Sequence, residues 1–391
     1  MYIEQVYLPG RGFAGWGESS LIIGPNKTTV LIDTGRDKHS KDIKKVLDEH
    51  QIKTIDWVIL THYHADHIGA FSEVFSLSPT EGKITINKGV ISRGPVNLSF
   101  SALNESAFSS LCSSIQSGET SCKVKNLCGE SNQKWSTICD FSSDSCKNKN
   151  NGVCNPTSSC PGLYAGSLES WCPGTTSTKS SGPGYIPLGN GAKISFYYAN
   201  GVLSTPPMNR IQPLSIGHSD GTDENNRSLM GVVSYRGFYF VFGGDIEHTA
   251  EAYIAKHKLE ILKWKSKQVN VLGWVEKQVD VIKLNHHGKD PVPSTLWIDW
   301  LLPKDNRTRN ALVGSNSRYG NSPDIDVVKL VRDRLSNGFV WTPSKGALST
   351  AGINDRLRDT SGPVVIRVPG AGDSYNILSV NKVEKSYSIV R

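Results

Sequence analysis

A histidine-rich stretch at residues 61–69, THYHADHIG, constrains the fold of this chain more than any other feature. It follows the apolar run WVIL at residues 57–60, which is typical of a buried strand. His62 and His64 are two residues apart, so their side chains point to the same side of an extended chain. The sequence therefore predicts a strand that ends in a loop carrying paired imidazoles.

The remaining polar residues of this loop, Asp66 and His67, are adjacent to each other. They cannot join His62 and His64 on one metal ion without a turn. The pattern therefore predicts two neighbouring metals, one held by His62 and His64 and the other by Asp66 and His67. Imidazole and carboxylate ligands favour zinc, with manganese or iron as less selective alternatives.

Two later strands also end in residues of the ligand type. The apolar run at residues 238–242 leads through two glycines to Asp245, and the run at residues 280–284 leads through an asparagine to His286 and His287. Loops at strand ends are where α/β proteins place their chemistry. We expect Asp245 to be a carboxylate shared by the two metals, one of the two histidines to complete the second metal, and the other to contact substrate.

The segments around these loops repeat one order of elements. Hydrophobic periodicity and turn residues predict a hairpin, a helix, a strand and a ligand-bearing loop in each half. In the first half the hairpin covers residues 19–33, the helix residues 39–50, and a short helix covers residues 67–75. In the second half a hairpin at residues 228–242 turns at Arg236 and Gly237, and a helix covers residues 247–262. This pattern indicates an α/β fold.

A segment at residues 91–189 differs in composition from the rest. All eight cysteines lie between Cys112 and Cys172, in sequence rich in Ser, Gly and Asn. An even number of confined cysteines predicts a disulfide-stapled insertion, and the lack of a Cys-x2-Cys pair disfavours structural zinc. The insertion could be a stabilising cap, a substrate-binding lid or a partner surface.

Composition narrows the classes of protein and partner. With 391 residues, 37% of them hydrophobic, the chain can bury a substantial core, and it has no apolar run long enough to span a membrane. The net charge of +7 favours an anionic substrate, with nucleic acid as one option. The cysteines favour an extracellular or secretory location over the cytoplasm, with a signal peptide absent from this sequence.

The motifs taken together resemble the metallo-β-lactamase superfamily. The resemblance rests on HxHxDH at residues 62–67, DTG at residues 33–35, GGD at residues 243–245 and HHG at residues 286–288. The DENNRSL segment at residues 223–229 is similar to the branch that holds the competence-channel hydrolase domain and the phosphorylcholine esterase domain. The resemblance implies a four-layer αββα sandwich formed by residues 1–90 and 190–391, with residues 91–189 inserted.

The resemblance also implies roles for individual residues. The implied function is a binuclear zinc phosphodiesterase in which a hydroxide bridging the metals attacks a nucleic acid or a phosphorylcholine-type ester. Asp66 would orient this hydroxide, His286 and Asn225 would contact the substrate, and Asp33 would order a metal-bound histidine. The implied metal ligands are His62, His64, Asp66, His67, Asp245 and, as the last ligand of the second metal, His287.

The sequence leaves several candidates for the third protein ligand of the first metal. The superfamily commonly supplies a histidine here, and the candidates are His218, Glu224, Asn225 or a water. Two alternative functions also stay open. The same site could hydrolyse a lactone, a β-lactam or another ester or amide, or the protein could be a non-catalytic binding protein with a degenerate metal site.

Overall fold

The structure is a computed structural model of the 391-residue chain. It describes residues 1–8, 17–76, 80–93, 185–199, 201–203, 214, 216, 224–258, 279–289, 293–314, 323–343, 356–360, 362–371, 373–379 and 385–389. Residues 94–184 of the cysteine-rich segment, with all eight cysteines and their predicted disulfides, lie outside these residues, as does His218. The chain forms two compact units: unit 1 contains Met1–Thr28, Pro187–Ile194 and Gly231–Arg391, and unit 2 contains Thr29–Ile186 and Ser195–Met230.

The described strands belong to two nine-stranded sheets. In chain order the strands are β1 (Tyr2–Gln5), β2 (Ser20–Ile23), β3 (Thr29–Ile32), β4 (Thr54–Leu60), β5 (Phe75–Ser76), β6 (Ile84–Ser92), β7 (Tyr185–Gly189), β8 (Ala192–Ala199), β9 (Val202–Leu203), β10 (Met230–Tyr235), β11 (Phe238–Phe242), β12 (Val281–Lys283), β13 (Asn310–Leu312), β14 (Val340–Thr342), β15 (Leu357–Asp359), β16 (Val364–Arg367), β17 (Ser374–Ser379) and β18 (Lys385–Ser388). The helices are α1 (Ser40–Glu49), α2 (Ala65–Ile68), α3 (Phe71–Val74), α4 (His248–Lys256), α5 (Thr295–Leu301) and α6 (Ile325–Arg332).

Unit 1 contains a run of strands from each sheet. One run has the order β18-β17-β16-β1-β2 and is antiparallel throughout. The other has the order β15-β14-β13-β12-β11-β10 and is parallel except for the β10–β11 hairpin. The two runs are in contact, because the Tyr375 ring lies 5.0 Å from that of Phe238 and its hydroxyl accepts a 2.9 Å hydrogen bond from Asn310. The predicted α/β sandwich of two sheets with helices is confirmed.

The parallel strands of unit 1 bring the two ligand-bearing loops together. β11 and β12 are hydrogen-bonded neighbours with the same direction, and α4 lies between them in sequence. Parallel neighbours place their carboxyl ends at one edge of the sheet. The loops that follow these strands, with Asp245 and with His286 and His287, therefore lie side by side.

Unit 2 repeats this arrangement with β3, β4, β6 and β5, which pair in that order and are all parallel. The helix α1 covers nearly the predicted residues and buries Ile43, Val46 and Leu47. The single helix predicted for residues 67–75 is instead two short helices, α2 and α3. Parallel pairing of β3 with β4 places the loop after β3, with Asp33, beside the histidine loop.

The second predicted hairpin is confirmed in unit 1. β10 and β11 pair antiparallel, with Tyr235 opposite Phe238. The connecting residues Arg236 and Gly237 both have positive φ, at 50° and 89°. Left-handed backbone at both central positions suits the right-handed twist of the strands. No helix in the described part of the chain is both long and apolar enough to cross a membrane.

Candidate metal centre

The histidine loop of unit 2 gathers its three imidazoles. His62 follows β4 directly, and His64 is the residue before α2, which contains Asp66 and His67. The His62 Nε2 lies 3.0 Å from the His64 Nδ1, and the rings of His62 and His67 are 4.1 Å apart. His62 and His67 are fully buried, whereas His64 and Asp66 are partly exposed. The structure thus brings together the histidines that the motif predicts.

Asp33 fixes one of these rings. Its Oδ2 lies 2.8 Å from the Nδ1 of His67, and it accepts hydrogen bonds of 2.7 Å from the backbone and hydroxyl groups of Thr61. This is the contact predicted for Asp33, and Asp33 adopts a left-handed φ of 59° to make it. Burial raises the pKa of Asp33 more than its contacts with His67 and Thr61 lower it. With Nδ1 facing Asp33, Nε2 is the nitrogen through which His67 can bind a metal.

A buried ion pair contacts the backbone of the same loop. Arg93 donates to both oxygens of Glu224, over 2.8 Å from Nε and 2.5 Å from Nη2, and the backbone N–H of Tyr63 donates to Glu224 over 2.9 Å. The Arg93 guanidinium also lies over the Tyr63 ring at 4.6 Å. Glu224 is therefore committed to protein partners and is a poor candidate for the third ligand of the first metal. Asn225, the neighbouring candidate, is buried.

Asp66 has an electrostatic partner at the edge of this loop. The Arg36 guanidinium lies 4.0 Å from its Oδ2. Both side chains keep part of their surface exposed, so the pair is screened by solvent and weak. Asp66 can therefore exchange this contact for a metal or a substrate at small cost.

Unit 1 holds a second group of donor atoms, made of Glu18, Asp245 and His287. Their ligand atoms lie within 4.8 Å of one another, and all three residues are buried. The Nε2 of His287 is 3.3 Å from Asp245 Oδ2, and its Nδ1 is 3.1 Å from Glu18 Oε1. The carboxylate of Asp245 and the imidazole of His287 are suitable donors for a divalent cation. The residues present therefore fit the metal that the sequence predicts.

Sequence reasoning missed Glu18 and its partner Lys283. The Lys283 ammonium forms an ion pair with Glu18 and donates to the carbonyl of Leu284 over 3.2 Å. Burial by itself would raise the pKa of Glu18, but Lys283 and His287 together lower it below its ordinary value. A signal was present, because Lys283 is a charged residue within the otherwise apolar strand β12. Buried charges of this kind need a partner.

The two histidines after β12 have strained backbones. His286 and His287 have φ of 47° and 55°, in the left-handed region that non-glycine residues rarely adopt. Such strain persists where surrounding contacts over-determine the conformation, commonly at functional sites. His286 is partly exposed and its Nδ1 lies 3.2 Å from Glu247 Oε1, whereas His287 is buried. The structure thus places His287 with Asp245 and leaves His286 nearer to solvent.

A buried glutamate of α4 ties this loop down. Glu251 accepts a 2.8 Å hydrogen bond from the Asn285 side chain and a 2.7 Å bond from the backbone N–H of Ser294. Burial raises its pKa to about 7, although these bonds act in the opposite direction. Because Asn285 directly precedes His286, Glu251 connects α4, the loop that carries His286 and His287, and the start of α5.

Comparison with known proteins agrees with the motifs. Residues 14–88 match the family model of the metallo-beta-lactamase superfamily. The chain is 37% identical over 65 residues to the lactamase-like protein aptB and 32% identical over 66 residues to the thioesterase pkgB, both of Emericella nidulans. Each match covers 16% of this chain and only 21% and 19% of those two proteins.

Solved structures of metallo-β-lactamases are also similar. A Cronobacter sakazakii metallo-beta-lactamase carrying substitutions in its HARLDQ motif is 12% identical, with 71% of this chain and 74% of that chain covered and a TM-score of 0.30. The MIM-2 metallo-beta-lactamase is 14% identical, with 68% and 69% covered and a TM-score of 0.28. The family match over residues 14–88 includes the histidine loop, so this segment is similar to the metallo-β-lactamase superfamily.

Proposed function

We propose that this protein is a metal-dependent hydrolase. The observation that carries the proposal is the clustering of donors, most of them buried, on loops after parallel strands. In unit 2 the imidazoles of His62, His64 and His67 lie together, and in unit 1 the His287 Nε2 lies 3.3 Å from Asp245 Oδ2. Buried charged and imidazole groups are costly unless they serve a partner such as a metal.

The proposed ligands follow the motif assignments. His62 and His64 would hold the first metal, Asp66 and His67 would hold the second, Asp245 would be a ligand shared by both, and His287 would be the last ligand of the second. The proposed ions are two Zn²⁺, with Mn²⁺ or iron as alternatives. His218, Asn225 or a water completes the first metal, because Glu224 is occupied by Arg93 and Tyr63.

When bound, a divalent metal supplies Lewis acidity, which makes water a better nucleophile and stabilises negative charge on the reacting ester. The protein's own groups bind and orient the reactants. His286, partly exposed beside Glu247, donates a hydrogen bond to the substrate anion. Asp66 would orient the attacking water, and Asn225 would contact the substrate.

We propose a phosphodiester as the substrate, either nucleic acid or a phosphorylcholine-type ester. The net charge of +7 and the DENNRSL, GGD and NHHG segments support it. These segments also support the proposed place in the branch of the competence-channel hydrolase and phosphorylcholine esterase domains. A positive chain attracts anionic substrates by long-range electrostatics.

The decisive experiment is hydrolysis of bis(p-nitrophenyl) phosphate by the full chain loaded with zinc. We expect turnover that a chelator abolishes and added zinc restores. The variant His62→Ala should lose activity, whereas His248→Ala, which changes an exposed histidine on α4, should not. Zinc-loaded protein that hydrolyses no phosphodiester would refute the substrate proposal.

Thioester hydrolysis is a second candidate, because the thioesterase pkgB is 32% identical to this chain over 66 residues. The same preparation should then release thiol from an acyl thioester, detected with a thiol reagent, faster than it cleaves the phosphodiester. Nitrocefin and a simple lactone complete the panel. Failure on every ester and amide, with zinc bound, would favour a non-catalytic binding protein.

A further inference from the structure

We propose that Glu18 and Lys283 form a positioning pair that orients His287 for metal binding, with Glu18 itself outside the set of metal ligands. The inference rests on the proposed metal site. It assigns a role to two buried residues that the motif does not include.

The first step concerns the two nitrogens of His287. Its Nδ1 lies 3.1 Å from Glu18 Oε1, and its Nε2 lies 3.3 Å from Asp245 Oδ2. A carboxylate on one ring nitrogen holds the proton there and directs the other nitrogen to a metal. Glu18 therefore selects the tautomer in which Nδ1 carries the proton and Nε2 points to the side of Asp245.

The second step concerns the confinement of Glu18. Its Oε2 forms an ion pair with the Lys283 ammonium, and its Oε1 lies where a side chain on Gly314 would be, since a Cβ there would come within 2.4 Å. Oε2 thus faces Lys283, Oε1 faces His287 and has no room to move beyond Gly314, and the carboxylate is almost fully buried. A carboxylate fixed in this way suits an orienting role better than direct ligation, which would require it to leave Lys283.

The third step concerns Lys283. Glu18 and Asp245 are both buried carboxylates. The positive charge of Lys283 compensates part of their negative charge. Its ammonium also lies 3.2 Å from the Leu284 carbonyl and 3.5 Å from that of Gly244, the residue before Asp245. Lys283 thereby connects the strand end of His287 to the loop of Asp245.

Unit 2 contains the same device. There Asp33 Oδ2 lies 2.8 Å from the Nδ1 of His67, which leaves Nε2 for a metal. In both units a buried carboxylate faces Nδ1 of the histidine. The recurrence supports orientation as the function of Glu18.

The test uses the full chain, with zinc affinity measured by competition with a chromophoric chelator and stoichiometry by cobalt titration. Glu18→Gln should bind zinc about 10- to 100-fold more weakly with unchanged stoichiometry, the usual effect of removing an outer partner. The double variant Glu18→Met with Lys283→Met removes both buried charges together, which keeps the fold stable enough to measure. This double variant should lose zinc affinity by the same factor. The control changes an exposed pair on α1, Lys45→Met with Glu49→Met, and should leave affinity unchanged.

A second readout needs no metal. Nitrogen-15 spectra of histidine-labelled, metal-free protein should show the His287 proton on Nδ1 in the wild type and a shift towards Nε2–H in the double variant. A wild-type Nε2–H tautomer would overturn the proposal. So would an unchanged affinity, and so would loss of one bound metal, which would make Glu18 a ligand. Neither readout involves substrate. The two readouts therefore decide this inference whether or not the hydrolysis assay succeeds.

Discussion

Glu251 predicts a dependence of stability on pH that one substitution should remove. This carboxyl group is buried and accepts hydrogen bonds from Asn285 and from the backbone of Ser294. Burial raises its pKa from 4.5 to about 7. An acid with a raised pKa in the folded state retains its proton where the unfolded chain has lost it. Unfolding therefore releases a proton between about pH 4.5 and 7, and the free energy of unfolding falls as pH rises through that window.

The magnitude follows from the interval between the two values. At about 1.4 kcal/mol per pH unit, an interval from 4.5 to about 7 corresponds to ~3 kcal/mol in full, of which ~2 kcal/mol should be lost between about pH 5.5 and 8.5. Glu251→Gln keeps the size and one of the two acceptor oxygens but cannot ionise. Between those two pH values, the free energy of unfolding of this variant should rise by ~2 kcal/mol relative to that of the wild type.

Urea unfolding of both proteins at a series of pH values measures this difference. The exposed residue Glu49 at the end of α1 provides the matched control, since Glu49→Gln should leave the pH dependence of the wild type intact. Taking the difference between variants removes the contribution of other titrating groups. A Glu251→Gln variant with the same pH dependence as the wild type would refute the assignment of this carboxyl as protonated near neutrality.

Three further outcomes are expected. Asp33→Asn should weaken zinc binding by about 10- to 100-fold, because it removes the carboxylate that faces His67 Nδ1, and chelator competition would disprove this if affinity stayed the same. Arg93→Met leaves Glu224 buried and uncompensated and should cost ~3–5 kcal/mol in urea unfolding, most of it recovered when Glu224→Leu is added. A single variant as stable as the wild type would contradict that account. The eight cysteines between Cys112 and Cys172 should be unreactive to a thiol reagent in the unreduced, denatured protein and should all react after reduction. Eight reactive thiols before reduction would show that they are not paired.

Local features of the sequence were sufficient to predict the loops. An apolar run followed by HxHxDH specifies a strand and a turn of donors, because period-two burial and the chemistry of imidazole are both properties of a short segment. The same holds for the β10–β11 hairpin, whose Arg236 and Gly237 turn follows from backbone preference alone. The helix boundaries after the histidine loop were predicted less well, because the break between α2 and α3 depends on packing.

The tertiary structure decided which residues surround the donors. Glu18 and Glu224 lie far in sequence from the residues they contact, and no periodic pattern connects Glu18 to His287 or Glu224 to Arg93. Glu224 was a candidate ligand by sequence, and the fold instead gives both its oxygens to Arg93 and Tyr63. The sequence by itself determined which groups could bind metal, since that is a matter of side-chain type and local spacing. Only the tertiary packing of segments distant in sequence, which sets burial and charge partners, decided which carboxylates lie beside the histidines and which hold the loops in place.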